Sequence, residues 1–123
     1  MMDQPSILEL VNAVRDFIEM HAMPELKGHT AFHARVAANA LGIVSRELEF
    51  GTAASEAERR RLVALLGQDG MLLELNRELC ARIRDGRIGL DTPGLADHLA
   101  QTSCDKVTID QPGYDGLKRY LAV

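Results

Sequence analysis

The sequence predicts an all-α fold: an up-and-down helical bundle of four to five helices with a short C-terminal docking segment, in a single domain over residues 1–123. Three observations predict it. Apolar residues recur at three- and four-residue intervals along most of the chain, and no run of four to eight residues alternates apolar and polar as a half-buried strand does. Aromatic residues are only 4% of the chain, with no Trp, so the core has to be packed from Leu, Ile, Val, Ala and Met, which suits close helix contacts.

Taken in order, Ser6 with Glu9 three residues on reads as a capping box opening a first helix. Ile7, Leu10, Val11, Val14, Phe17, Ile18 and His21 then recur at helical spacing until Pro24 and Gly28 end it. The second helix, HTAFHARVAANALGIVSRELEF, runs from about His29 to Phe50 without Pro and is expected to stop at Gly51. Ser55 and Glu58 suggest another capping box, opening a third helix that carries Leu62, Val63, Leu65 and Leu66 to Gly67. Asp69 is the expected cap of a fourth, with Leu72, Leu75, Leu79 and Ile83 on one face and Gly86 as its end. After the turn-rich GRIGLDTPG, Thr92 as N-cap and Pro93 at the first helical position open a fifth helix to about Asp110. The tail then places Tyr114, Leu117, Tyr120 and Leu121 where one short docking helix would use them. Short connections between such helices favour antiparallel neighbours, hence the bundle.

A chain of 123 residues is long enough for one core. With 46% apolar and 26% charged residues, neither disorder nor a membrane protein is suggested. The net charge of -4 disfavours non-specific attraction to nucleic acid or anionic lipid. Arg59, Arg60 and Arg61 are the only basic run, and because consecutive helical residues point in different directions they read as a solvated face. The N-terminus carries acids where a signal peptide needs Lys or Arg, and no apolar run approaches the roughly 20 residues of a membrane span, so a cytoplasmic location is expected. Cys80 and Cys104 lie inside helical patterns and read as two buried, reduced thiols.

Several polar residues fall where apolar ones are expected. Along the second helix Phe32, Val36, Ala37, Ala40, Leu41, Ile43, Val44 and Leu48 cover an arc of roughly 180°, wider than an amphipathic stripe, so the helix is either central to the bundle or half committed to a partner subunit. His33 projects near the middle of that arc, either as a hydrogen-bonded core histidine or as a ligand group. Arg35, Asn39 and Arg46 form a polar stripe beside it that pairs with acids on other helices or clamps a carboxylate or phosphate. Asn76 falls among Leu72, Leu75, Leu79 and Ile83, and Lys106 among Leu95, Leu99, Thr102 and Ile109. A lysine there needs an anionic partner or must snorkel to solvent along its methylenes. His98, Thr102 and Asp105 form a second polar stripe, fit for acid–base chemistry or for an ordinary solvent-facing edge. His29 and His33, four apart, have the spacing of a helical metal pair, but Thr30 stands where HExxH has its glutamate and no third ligand is indicated, so no metal is expected. GxGxxG, GxSxG, CxxC and a phosphate loop are all absent; no cofactor is expected, and the lack of a nucleophile with its base weighs against a stand-alone enzyme.

The segments FHARVAANALGIVSRELEFG, ELNRELCARIRDGRI and LADHLAQTSCDKVTIDQPGY together resemble an uncharacterised bacterial family of small helical proteins catalogued as a domain of unknown function, over nearly the whole chain. The resemblance implies a short helical protein encoded beside phosphotransferase-like kinases and acyl-CoA dehydrogenases; it assigns no activity, ligand or residue role. Two functions follow as expectations. The first is a homodimeric accessory or interaction protein, docking through the wide face of the second helix and the tail, with a neighbouring enzyme of acyl-CoA metabolism as a further partner. The second is a binder or enzyme for a small anionic ligand, phosphate or acyl-CoA-like, in which His33, Arg35, Asn39, Arg46, Asn76 and Lys106 converge on a pocket.

Overall fold

Ser6 accepts a hydrogen bond from the Glu9 backbone N–H at 3.1 Å while the Glu9 carboxylate takes the Ser6 N–H at 2.6 Å, so both halves of the expected capping box are made. They open α1, Ile7–Phe17, in a computed structural model that describes residues 3–123. A π-helical turn, Ile18–Ala22, and a 3-10 turn, Met23–Glu25, follow, the latter containing Pro24, whose missing N–H makes further α-helix unfavourable. Then come α2 (Gly28–Leu66), α3 (Leu72–Arg84), α4 (Leu95–Asp110) and α5 (Asp115–Leu121). Among the described residues there is no strand, so the all-helical expectation holds, with the short α5 where the docking segment is expected.

The helix boundaries differ from expectation in three places. Helices expected to be separate on either side of Gly51 are one 39-residue helix, α2. A glycine ends a helix when it adopts the left-handed conformation, as Gly67 does after α2 at φ 69° and Gly86 after α3 at φ 82°. Gly51 does not; it is buried within the helix, and the helix formers after it continue the backbone ladder, so Ser55 and Glu58 never form a capping box. Secondly, α3 is preceded by Met71 rather than Asp69, whose carboxylate accepts the Gly70 N–H at 2.8 Å and pairs with Arg59 at 2.7 Å. Thirdly, α4 begins at Leu95 after Gly94 at φ 91°. Thr92 does not cap it because its hydroxyl is used in the preceding turn, accepting the Gly89 N–H at 2.9 Å.

The chain forms two compact units, one up to Gly51 and one from Thr52 onward, with α2 running through both. In the N-terminal unit α1 is joined to the first part of α2 by a hydrogen bond from Ser45 Oγ to Asn12 Oδ1 at 2.7 Å. The C-terminal unit holds the apolar core: Leu62 and Leu66 of α2, Leu75 and Leu79 of α3, Ile88 of the connecting loop and Leu95 of α4. Arg82 closes the end of α2, donating to the Leu66 carbonyl at 2.9 Å and to Gln68 at 2.9 Å, a cation placed where carbonyls have no helical partner.

Candidate functional site

In the N-terminal unit the residues that are buried are small. Ala38 is 1% exposed, Ser45 and Gly42 are buried with it, and Ala31 and Ala34 are half-buried on the same side of α2. Leu8, Val11, Ile18, Leu41 and Ile43 are half-buried, and many of the other large apolar residues are left out. Ile7, Leu10, Val14 and Phe17 of α1, and Phe32, Val36, Val44, Leu48 and Phe50 of α2, are each between 40% and 60% exposed. The expected arc of α2 therefore exists, but α1 packs on the opposite, small-residue side, because only there can the two backbones come close.

This decides where the sequence-predicted site residues stand. His33 does lie in the middle of the apolar arc, yet it is exposed, so the expectation of a buried, hydrogen-bonded imidazole is overturned; the Phe32 ring stands edge-on to it, with ring centroids 5.5 Å apart. Arg35 and Asn39 are exposed. Arg46 is half-buried, its guanidinium lying 3.2 Å from where a Cβ on Gly42 would stand. In the C-terminal unit Asn76 donates to Glu58 at 3.0 Å and to the Leu72 carbonyl at 3.2 Å, which accounts for its position in an apolar arc. Lys106, expected inside an apolar arc, is exposed with Leu99 beside it. The buried face of α4 is rotated by roughly 60° from the all-apolar one, at about 100° per residue, so that His98, Thr102 and Asp105 turn inward and Lys106 turns out. The thiols differ from expectation too: both are free, but Cys80 is exposed and Cys104 half-buried.

What turns the polar stripe of α4 inward is Arg61, the residue that sequence reasoning missed. Its Nε donates to His98 Nδ1 at 3.3 Å, its Nη2 donates to Thr102 Oγ1 at 3.1 Å, and Asp105 Oδ2 lies 3.8 Å from the same nitrogen. Of the three arginines, Arg60 does lie on a solvated face and Arg59 makes surface pairs with Glu56 and Asp69; Arg61 corrects the reading of the run. A signal was present, since Arg61 stands four residues before Leu65 and next to Leu62, on the edge of the core face. His98 is only 3% exposed. Arg61, Ala64, Leu65, Pro93, Gly94, Asp97 and His98 line an open cleft of about 310 Å³ at the start of α4. Between α4 and α5 a second, apolar cleft of about 220 Å³ is lined by Ala100, Ser103, Cys104, Val107, Tyr114, Leu117 and Tyr120, among others. None of the six sequence-predicted site residues lines either cleft.

A family model described as a domain of unknown function (DUF6285) matches residues 24–114. The chain belongs to this family. No curated protein and no solved structure matches it. The DUF6285 match takes in α2, α3 and α4, and with them the exposed arc of α2 and the Arg61–His98 cleft, and leaves α1 and α5 outside. No helix among the described residues is long and apolar enough to cross a membrane.

Burial holds the His98 imidazole below the ordinary histidine value of 6.5, the Arg61 charge acts in the same direction and Glu58 opposes. The unfolded chain therefore takes up this proton at higher pH than the folded one. Stability from a neutral His98 is full above about pH 6.5 and is lost as pH falls through that value toward the lower folded pKa. The melting temperature should thus fall as pH drops below about 6.5, and His98→Gln should flatten that slope. An unchanged slope in the variant would assign the titration elsewhere.

Proposed function

We propose that this protein is a helical interaction module that works as a homodimer, the apolar faces of its N-terminal unit packing on the same faces of a second copy. The observation that carries this reading is the inversion of burial there, with alanine, glycine and serine inside and Phe32, Val36, Val44, Leu48 and Phe50 outside. A monomer rarely leaves so much large apolar surface to water. The five large side chains of the α2 arc, each about half exposed, offer roughly 450 Å² per copy, an apolar centre for an interface whose rim is polar. Charge supports self-pairing. Residues 3–25 carry five acids against Arg15 alone, whereas from Lys27 to Arg46 there is no acid, so a two-fold arrangement brings an acidic edge of each copy to a basic edge of the other. His33, in the middle of the α2 arc, would be covered by the partner.

Light scattering on the eluting protein tests this. The expected mass is twice 13.5 kDa at tens of micromolar chain. Val36→Asp together with Val44→Asp should give a monomer of unchanged helicity, because both positions are exposed within one chain and only an interface objects to the charge. A wild-type monomer at high micromolar concentration overturns the proposal, as does a dimer unaffected by the double substitution.

A further inference from the structure

The cleft at the start of α4 has donors facing it that the chain does not use. A guanidinium only donates, so the bond from Arg61 Nε makes His98 Nδ1 an acceptor, and the proton of the neutral imidazole must sit on Nε2. No group of the described chain accepts from Nε2, although His98 is 97% buried and lines the cleft; since no fully buried side-chain nitrogen is left unbonded, Nε2 keeps its opening to the cleft. Arg61 uses Nε and Nη2 internally and leaves Nη1 without a partner. Gly94 has no side chain to cap α4, and while the Leu95 N–H reaches the Thr92 carbonyl, those of Ala96 and Asp97 have no acceptor among the described residues. The imidazole of His98, the guanidinium of Arg61 and the free amide of Asp97, at the positive end of a 16-residue helix, thus all belong to residues that line one cleft.

We propose that this cleft binds a small monocarboxylate with a short apolar body, its carboxylate held by His98 Nε2, Arg61 and the first turn of α4. The other wall, Ala64, Leu65 and Pro93, is apolar and takes the hydrocarbon part. A single negative charge is specified by what surrounds the donors: Asp105 already compensates part of the Arg61 charge at 3.8 Å, and the exposed Asp97 carboxylate stands on the rim and repels a dianion. The site lies wholly in the C-terminal unit and does not depend on dimerisation.

The test is titration of the full chain with sodium butyrate, followed through the His98 ring resonances, against sodium chloride at equal ionic strength, butyramide and inorganic phosphate. A saturable shift with a midpoint of about 1 mM is expected for so small a ligand, and none with chloride or butyramide. Phosphate should bind at least tenfold more weakly. Ala64→Phe narrows the cleft from an exposed position, so the variant should keep its circular dichroism and melting temperature and lose butyrate binding at least tenfold. Arg61→Gln should lose it as well. Butyramide binding as well as butyrate, phosphate binding more tightly, or a folded Ala64→Phe variant that titrates like the wild type would each overturn the proposal.

Discussion

Leu62→Ala is expected to destabilise the C-terminal unit by about 3 to 4 kcal/mol. Leu62 has no exposed surface and is, with Leu75, one of the two largest fully buried side chains; it packs with Leu66, Leu75, Leu79, Ile88 and Leu95, so one cavity touches α2, α3, α4 and the loop between them. The walls of that cavity are themselves fixed by backbone and side-chain ties, among them the Arg82 bond to the Leu66 carbonyl, and cannot close fully over the gap. Urea unfolding followed by circular dichroism measures the loss. Leu90→Ala, at a position 87% exposed, is the control and should change stability by less than about 0.5 kcal/mol. A loss below about 1 kcal/mol at Leu62 would mean that the core lies elsewhere.

Ala38→Leu is expected to cost the N-terminal unit about 1 to 3 kcal/mol, and Ala37→Leu, one residue away, close to nothing. Ala38 is 1% exposed on the face of α2 that meets α1, between half-buried Ala34 and buried Gly42, where three added carbons have no room. Ala37 is exposed on the opposite arc. Hydrogen exchange reads the difference directly: α1 amides should lose protection in the Ala38 variant, with the core amides of α3 unchanged. Equal protection in both variants would show that the helices are not held through small residues.

Local signals were legible wherever one residue type suffices. Ser6 with Glu9, Gly67, Gly86 and the Pro24 break act through their own backbone or nearest neighbours, and each stands where periodicity and capping chemistry place it. Gly51 and Thr92 show the limit of such reasoning. The first is a breaker by composition and a helical residue in fact, because nothing turns the chain there; the second is a good cap whose hydroxyl was taken by a competing turn.

The candidate sites were legible only in part. His98, Thr102 and Asp105 are visible as a stripe from their spacing alone, but whether a polar stripe faces water or core depends on a residue 37 positions away, Arg61, and no local pattern carries that pairing. Once Arg61 draws the stripe inward, α4 turns about its axis and Lys106 must face solvent, which reverses the expectation drawn from its apolar neighbours.

By itself the sequence determined that this chain is helical, where α1 begins and where α2 and α3 end, and that the second helix carries more apolar surface than one neighbour can cover, since these follow from period, capping and composition. Only the tertiary structure decided which face of each helix is buried. In α2 the small residues win the contact with α1 because close backbone approach gains packing over a long stretch, and in α4 the polar face wins because one guanidinium satisfies His98, Thr102 and Asp105 together.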